Sequence, residues 1–146
     1  MSVALDQAKL AFSEDEIPIG AVVVRGNNII GIGRNMVEQK NNPLYHAELV
    51  AINEACKTIK DKYLYDCDLY VTLEPCVMCT GAIINSRLRN LYFGAFQPKF
   101  GACGSVFNIP ELNKLNHKIN VFSGIFSDQS EELLAEYFIK KRQINR

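Results

Sequence analysis

Val3, Leu5, Ala8, Ala11 and Phe12 recur at near-helical spacing, which predicts an amphipathic helix over residues 3–13. The polar run Ser13-Glu14-Asp15-Glu16 ends it. Ile17-Pro18-Ile19-Gly20 reads as extended, because a residue before proline avoids the helical region. Two β-rich apolar runs follow, Ala21-Val22-Val23-Val24 and Ile29-Ile30-Gly31-Ile32, with a turn at Asn27-Asn28, the pattern of a hairpin. After the loop Asn41-Asn42-Pro43, a helix is expected from His46 to about Lys57. Leu69-Tyr70-Val71-Thr72 reads as a short buried strand. Pro75 suits the first turn of a helix that runs through Ile83 and Ile84, since its missing N–H costs nothing there. Leu91-Tyr92-Phe93 predicts a further strand. Residues 94–118, punctuated by Gly94, Pro98, Gly101, Gly104 and Pro110, predict a long irregular stretch, and such a loop in a domain is usually functional. Ile119, Val121 and Phe122 mark a last strand, and Ser127 opens a final helix with Leu133, Leu134, Tyr137 and Phe138 on its buried stripe.

The predicted order is α-β-β-α-β-α-β-β-α, with no repeat and no linker, so residues 1–146 form one domain. Strands alternating with helices imply an α/β fold, a sheet covered by helices on both faces. Candidate chemistry at the starts of helices that follow strands fits the usual ligand position in open α/β sheets.

Composition narrows the class. Hydrophobic residues make up 48% and charged residues 22%, an ordinary globular mix. Sixteen basic and sixteen acidic residues cancel, so the overall charge carries no nucleic-acid footprint, although a local patch can still be basic. Asp6 and Lys9 interrupt the N-terminal apolar run, which argues against a signal peptide. No apolar run approaches the roughly 20 residues of a membrane span. The cysteine count is five, and two of these lie in a C-x-x-C behind a proline, which favours a metal site in a reducing cytoplasm over a disulfide scaffold.

Two stretches carry the chemistry. Tyr45-His46-Ala47-Glu48 is followed, after 25 further residues, by Glu74-Pro75-Cys76-Val77-Met78-Cys79. His46, Cys76 and Cys79 supply one imidazole and two thiols, leaving a tetrahedral zinc one ligand short, as in catalytic sites. His-x-Glu with Pro-Cys-x-x-Cys is the known signature of zinc-dependent nucleobase deaminases. Cys76 and Cys79, three apart, share one helical face. His46 and Glu48, two apart, can serve one site only if the metal lies off the helix N-terminus. Two helix N-termini are therefore expected to converge on one ion, where their positive ends favour thiolates. Zinc with two thiolates and a neutral imidazole carries no net charge and acidifies water less than an all-histidine site, which reaches a pKa of about 7. A separate base is needed, and Glu48 fits: it would take a proton from metal-activated water, pass it to a ring nitrogen and help protonate the departing ammonia.

Blander readings stand beside this one. A lone C-x-x-C can be redox-active or half of a structural knuckle, but a redox motif needs neither His46 nor Glu48. A structural site needs a fourth ligand. Cys56 and Cys67 read as core fillers, and His117 and above all Cys103 in the long loop remain available.

At these residues the chain resembles the cytidine-deaminase superfamily and, within it, the bacterial tRNA-specific adenosine deaminases. The resemblance spans nearly the whole chain. It includes Glu16 to Val22, Asn35, Leu69 to Cys79, Phe93-Gly94-Ala95, Gly101-Ala102, Gly104-Ser105 and Asn116-His117. It implies a three-layer α/β/α sandwich with a five-stranded mixed sheet, one zinc per subunit and a homodimer. The implied reaction is conversion of the wobble adenosine of a tRNA anticodon stem-loop to inosine. His46, Cys76 and Cys79 match the zinc ligands, Glu48 the proton shuttle, and Asn35 a side chain that hydrogen-bonds the target base. Asn35 also reads as a turn residue after the glycine-rich strand. Where the family commonly carries an aspartate near the substrate strand, this chain has Gln97, neutral and able both to donate and to accept.

The remaining RNA candidates are Lys99, Phe138 and the basic tail with Lys141 and Arg142. The tail equally complements the dipole of a helix that begins with Asp128, Glu131 and Glu132. Two other functions use the same residues: deamination of free cytosine nucleotides or guanine, and a zinc-stabilised RNA-binding subunit without turnover.

Overall fold

The computed structural model describes residues 1–146. Helix α1 spans Ser2–Ser13, strands β1 and β2 span Gly20–Arg25 and Asn28–Arg34, and a short helix α2 covers Val37–Lys40. Helix α3 spans Ala47–Ile59, β3 Cys67–Leu73, α4 Val77–Asn85, β4 Asn90–Ala95, β5 Asn120–Phe122 and α5 Ser127–Ile144. A single 3-10 turn at Ile109–Glu111 interrupts the long connection between β4 and β5.

The five strands form one sheet in the order β2-β1-β3-β4-β5. β1 pairs antiparallel with β2 and β3, whereas β3, β4 and β5 run parallel. The sheet is mixed, as the resemblance implies. Helices α1 and α5 lie on one face and α3 and α4 on the other.

The face under α3 and α4 holds the core. Val23, Leu69, Val71, Leu91 and Phe93 are buried there with Ala47, Ala51, Ala55, Ile83 and Ile84. Burying each larger side chain contributes about 1.5–3 kcal/mol. Helix α3 approaches β2 closely because Gly33 has no side chain. A Cβ at Gly33 would lie 2.2 Å from the Ala47 carbonyl oxygen and 2.6 Å from the Ala51 nitrogen. That close seat sets the height of the α3 N-terminus above the sheet.

Several sequence expectations shift. The hairpin turn falls on Gly26-Asn27, with Gly26 at φ 59°, one residue before the expected Asn27-Asn28. Pro75 lies outside the helix, because Cys76 is the N-cap of α4. Phe138 is not part of a buried stripe: it is 47% exposed, while Tyr137 is buried. Helix α2 is absent from the hydrophobic pattern because none of its four residues is buried.

The polar exit from α1 is a joint. Arg34 of β2 donates to both Glu14 carboxylate oxygens, at 2.7 and 2.8 Å. Lys141 of α5 pairs with Asp15 at 2.6 Å, and the Tyr137 hydroxyl donates to the Asp15 carbonyl at 3.2 Å. Glu16 is fully buried and accepts from the Asn35 side chain and the Gln39 backbone. Asp15 sits at φ 63°, a left-handed conformation that aspartate tolerates better than most residues. Three consecutive acids thus reach three different elements.

Candidate active site

The two helix starts expected from the sequence are present. His46 is the N-cap of α3 and Cys76 the N-cap of α4, both with extended backbone and neither making a side-chain cap bond. Serine, threonine, aspartate or asparagine would cap these helices better. The cap side chains are instead free to meet each other. Cys79 lies in the first turn of α4, and Glu48 in the first turn of α3.

His46 Nδ1 lies 3.7 Å from Cys76 Sγ and 3.5 Å from Cys79 Sγ. A tetrahedral ion with bonds of about 2.3 Å to sulfur and about 2.0–2.1 Å to nitrogen requires N···S edges of about 3.5–3.6 Å. All three donor atoms lie within 4.8 Å of one another. The donor set therefore fits zinc in size and softness. No fourth donor joins it. Cys103 Sγ pairs with the Thr80 hydroxyl at 3.3 Å, and His117 Nε2 faces the Leu88 carbonyl at 2.6 Å. Cys67 is buried as the first residue of β3, and Cys56 is half-buried on α3. The group therefore offers three donor atoms, the number of protein ligands typical of a catalytic zinc site.

The charges are already polarised. A hydrogen bond from Cys79, then one with His46, hold the Cys76 thiol down to about 4. Donating to Cys76 and lying buried push Cys79 up. A cation held by these residues would require both thiols as thiolates. The hydrogen bond with Cys76, then Glu48, raise His46. Glu48 is 4% exposed, and burial raises its carboxyl above the ordinary carboxylate range. A carboxyl in this position is placed both to accept and to return a proton.

These groups open onto a cavity of about 400 Å³ at the carboxyl ends of β3 and β4. His46, Glu48 and Cys76 line one part of it, and Asn35, Gln97 and Phe138 line others. Cys79 is buried beneath. Lys99, Lys141 and Arg142 are not part of the wall. Lys99 is exposed on the loop, Lys141 is occupied by Asp15, and Arg142 is exposed with no ion pair. Gln97 is held by its own loop: its Oε1 accepts from the Lys99 N–H at 3.2 Å, and its N–H donates to Glu74.

Three wall residues that no sequence motif marks as functional stand out. Phe100 lines the cavity and is 66% exposed. Glu16 lies behind Asn35. Glu74, 2% exposed, accepts from the N–H groups of Gln97, Cys103 and Ser105, each at 3.1 Å, and from the Ser105 hydroxyl. Gly101 makes room for it, since a Cβ there would lie 2.2 Å from the Glu74 carboxylate. The signal for Glu74 is its place immediately before Pro75-Cys76, but its partners are 23 to 31 residues away.

The chain is similar to several known proteins. A family model described as MafB19-like deaminase matches residues 1–142. A tRNA-specific adenosine deaminase from Rickettsia bellii is 48% identical, over 97% of this chain and 99% of its own length. One from Bacillus subtilis is 39% identical, over 98% of this chain and 89% of its own. A solved structure from work on A-to-I editing by tRNA:A34 deaminases superposes with a TM-score of 0.89 at 40% identity, covering 92% of this chain and 97% of that one. A guanine deaminase from Nitrosomonas europaea superposes at 0.77 with 27% identity, over 93% and 81%. Full-length identity of this order, together with the His-Cys-Cys group and Glu48 at one cavity, places the chain in the tRNA-specific adenosine deaminase family, a branch of the cytidine-deaminase superfamily.

Proposed function

We propose that the chain converts the wobble adenosine of a tRNA anticodon stem-loop to inosine, consuming one water and releasing ammonia. The observation that carries this reading is Glu48, a buried carboxyl that shares one cavity with the His46, Cys76 and Cys79 group. When bound by His46, Cys76 and Cys79, zinc supplies Lewis-acid activation of water. Glu48 accepts the proton of the attacking water and hands it to the ring nitrogen beside the reacting carbon. It then assists protonation of the leaving amino group. Burial of Glu48 keeps bulk water from short-circuiting that transfer. The reacting base must leave its stack to reach the cavity. Asn35 orients the base, and Phe138 offers an exposed ring for stacking.

The rest of the RNA follows the rim. Lys99 and Arg142 are exposed cations that reach phosphates, and Lys141 can join them by exchanging Asp15 for a phosphate. Gln97 stands where the resemblance implies an aspartate, and a neutral amide relaxes discrimination of the RNA sugar. An open groove along Leu44, Tyr45, Leu49 and Val50 leaves Leu44 and Tyr45 exposed and suits a homodimer contact. No helix is long and apolar enough to cross a membrane, and work on tRNA suits the cytoplasm.

The test is turnover of a cognate anticodon stem-loop beside guanine, cytidine and cytidine monophosphate. Inosine is expected in the stem-loop. Turnover of a free base or nucleotide, with none on the stem-loop, would overturn the reading. Tight binding of the stem-loop with no turnover of any substrate would favour a zinc-stabilised RNA-binding subunit. For Gln97, a deoxy version of the loop is expected to react nearer to the RNA rate than it does with Gln97→Asp; equal discrimination by the two proteins would sink that point.

A further inference from the structure

Glu16 is a fully buried carboxylate that belongs to no ion pair and plays no part in the chemistry described above. It nonetheless lines the same cavity as Glu48. Its Oε2 accepts the Asn35 Nδ2–H at 3.0 Å, and its Oε1 accepts the Gln39 backbone N–H at 2.8 Å. The second contact ties it to α2, which carries the cavity residues Val37 and Glu38. Asn35 is itself 4% exposed and fixed at its backbone, where its N–H donates to the Ile19 carbonyl at 3.0 Å. One freedom remains to such an asparagine, rotation of its amide by half a turn. That rotation exchanges oxygen for nitrogen at the cavity surface.

We infer that Glu16 is a positioning residue that locks the Asn35 amide in the orientation that reads the substrate base. A carboxylate accepts only, so Asn35 must turn its NH2 towards Glu16. Asn35 Oδ1 accepts nothing from the chain and is left for the cavity. The site therefore offers one hydrogen-bonding edge rather than its mirror image. The inference rests on the proposed contact between Asn35 and the base.

Glu16→Gln tests it with almost no change in shape. The Gln39 N–H is backbone and cannot reverse, so the new carbonyl oxygen stays there. The new NH2 then faces Asn35, which must meet it with Oδ1 and swing its own NH2 into the cavity. The α2 contact is kept while the reading edge is inverted. In Glu16→Gln, kcat/KM on the stem-loop should fall on the order of tenfold to a hundredfold, the cost of a mismatched buried hydrogen bond. Asn35→Ala should fall comparably. In the Asn35→Ala background, adding Glu16→Gln should change little, because there is no amide left to turn. A loss of equal size in both backgrounds, or no loss from Glu16→Gln alone, would overturn the inference. A second readout needs no substrate. The Asn35 side-chain NH2 should exchange slowly with solvent in the zinc-loaded wild type, and its resonances should move in Glu16→Gln. Free exchange in the wild type would also overturn the inference. An inactive wild type with a protected Asn35 amide would count against the stem-loop reading alone. The cycle would then be run on whichever nucleobase the protein turns over, with the same outcomes deciding.

Discussion

Replacing Glu74 by glutamine tests whether one buried carboxylate holds the cavity loop against the start of α4. Glu74 Oε2 accepts the Cys103 and Ser105 N–H groups, and Oε1 accepts the Gln97 N–H and the Ser105 hydroxyl. A glutamine keeps one acceptor oxygen. Placed at Oε2 it retains two N–H partners, but without the negative charge. Its NH2 then faces the Gln97 N–H, donor against donor, whereas the Ser105 hydroxyl can turn round and accept. Stranding one buried donor costs about 1–3 kcal/mol, and exchanging two charged hydrogen bonds for neutral ones costs about 0.5–1 kcal/mol each. The total is about 3 kcal/mol. In a domain near this size, each kcal/mol moves Tm by roughly 2–4 °C, so a drop of about 6–12 °C is expected. Thermal and urea unfolding of the zinc-loaded protein measure it. Hydrogen exchange should localise the damage to the amides of Gln97, Cys103 and Ser105. A Tm within about 2 °C of wild type, with the Gln97 amide still protected, would refute the assignment of Glu74 as the clamp.

Glu48→Ala should keep its zinc by elemental analysis while losing roughly a hundredfold or more in single-turnover rate; zinc loss with retained turnover would reverse the assigned roles. Gly33→Ala drives a methyl group against the α3 backbone and should cost at least about 1–3 kcal/mol. Because α3 carries His46, chelator competition should also show weaker zinc binding, and unchanged affinity would separate that helix seat from the site. Arg34 holds the Glu14 carboxyl below its ordinary value of 4.5 by hydrogen bonding, so this contribution is complete above that pH and is lost as pH falls through the lower folded value. Arg34→Gln should accordingly flatten the acid limb of the stability–pH curve, and an identical limb in both proteins would count against it.

What was legible in the sequence follows from the range of each interaction. The two helix starts could be read because His46, Glu48, Pro75, Cys76 and Cys79 restrict local backbone and chemistry together. The sheet could be read from β-branched runs such as Val22-Val23-Val24. Helix α2 could not, because four polar or half-exposed residues carry no apolar period. The spacing puts Phe138 on a buried stripe because a helix lining a cavity and a helix lining a core use the same period. In sequence, Glu16 looks like a polar exit and Glu74 like a motif flank. Their partners are backbone N–H groups and an amide 19 to 31 residues away, which leave no mark on composition. Lys141 showed its charge in the sequence but not its attachment to Asp15, 126 residues earlier.

The joint at Glu14, Asp15 and Glu16 makes the segment sensitive to its length more than to its letters. Each carboxylate finds its partner by its place in the count, and left-handed Asp15 turns the next side chain inwards. Any one substitution breaks one tie and leaves two. Deleting or inserting a single residue shifts all three at once, parting α1 from β2, from α5 and from Asn35 together. Loops between helix and strand ordinarily accept insertions, but this one should not. An engineered graft or a permuted terminus belongs elsewhere on this molecule.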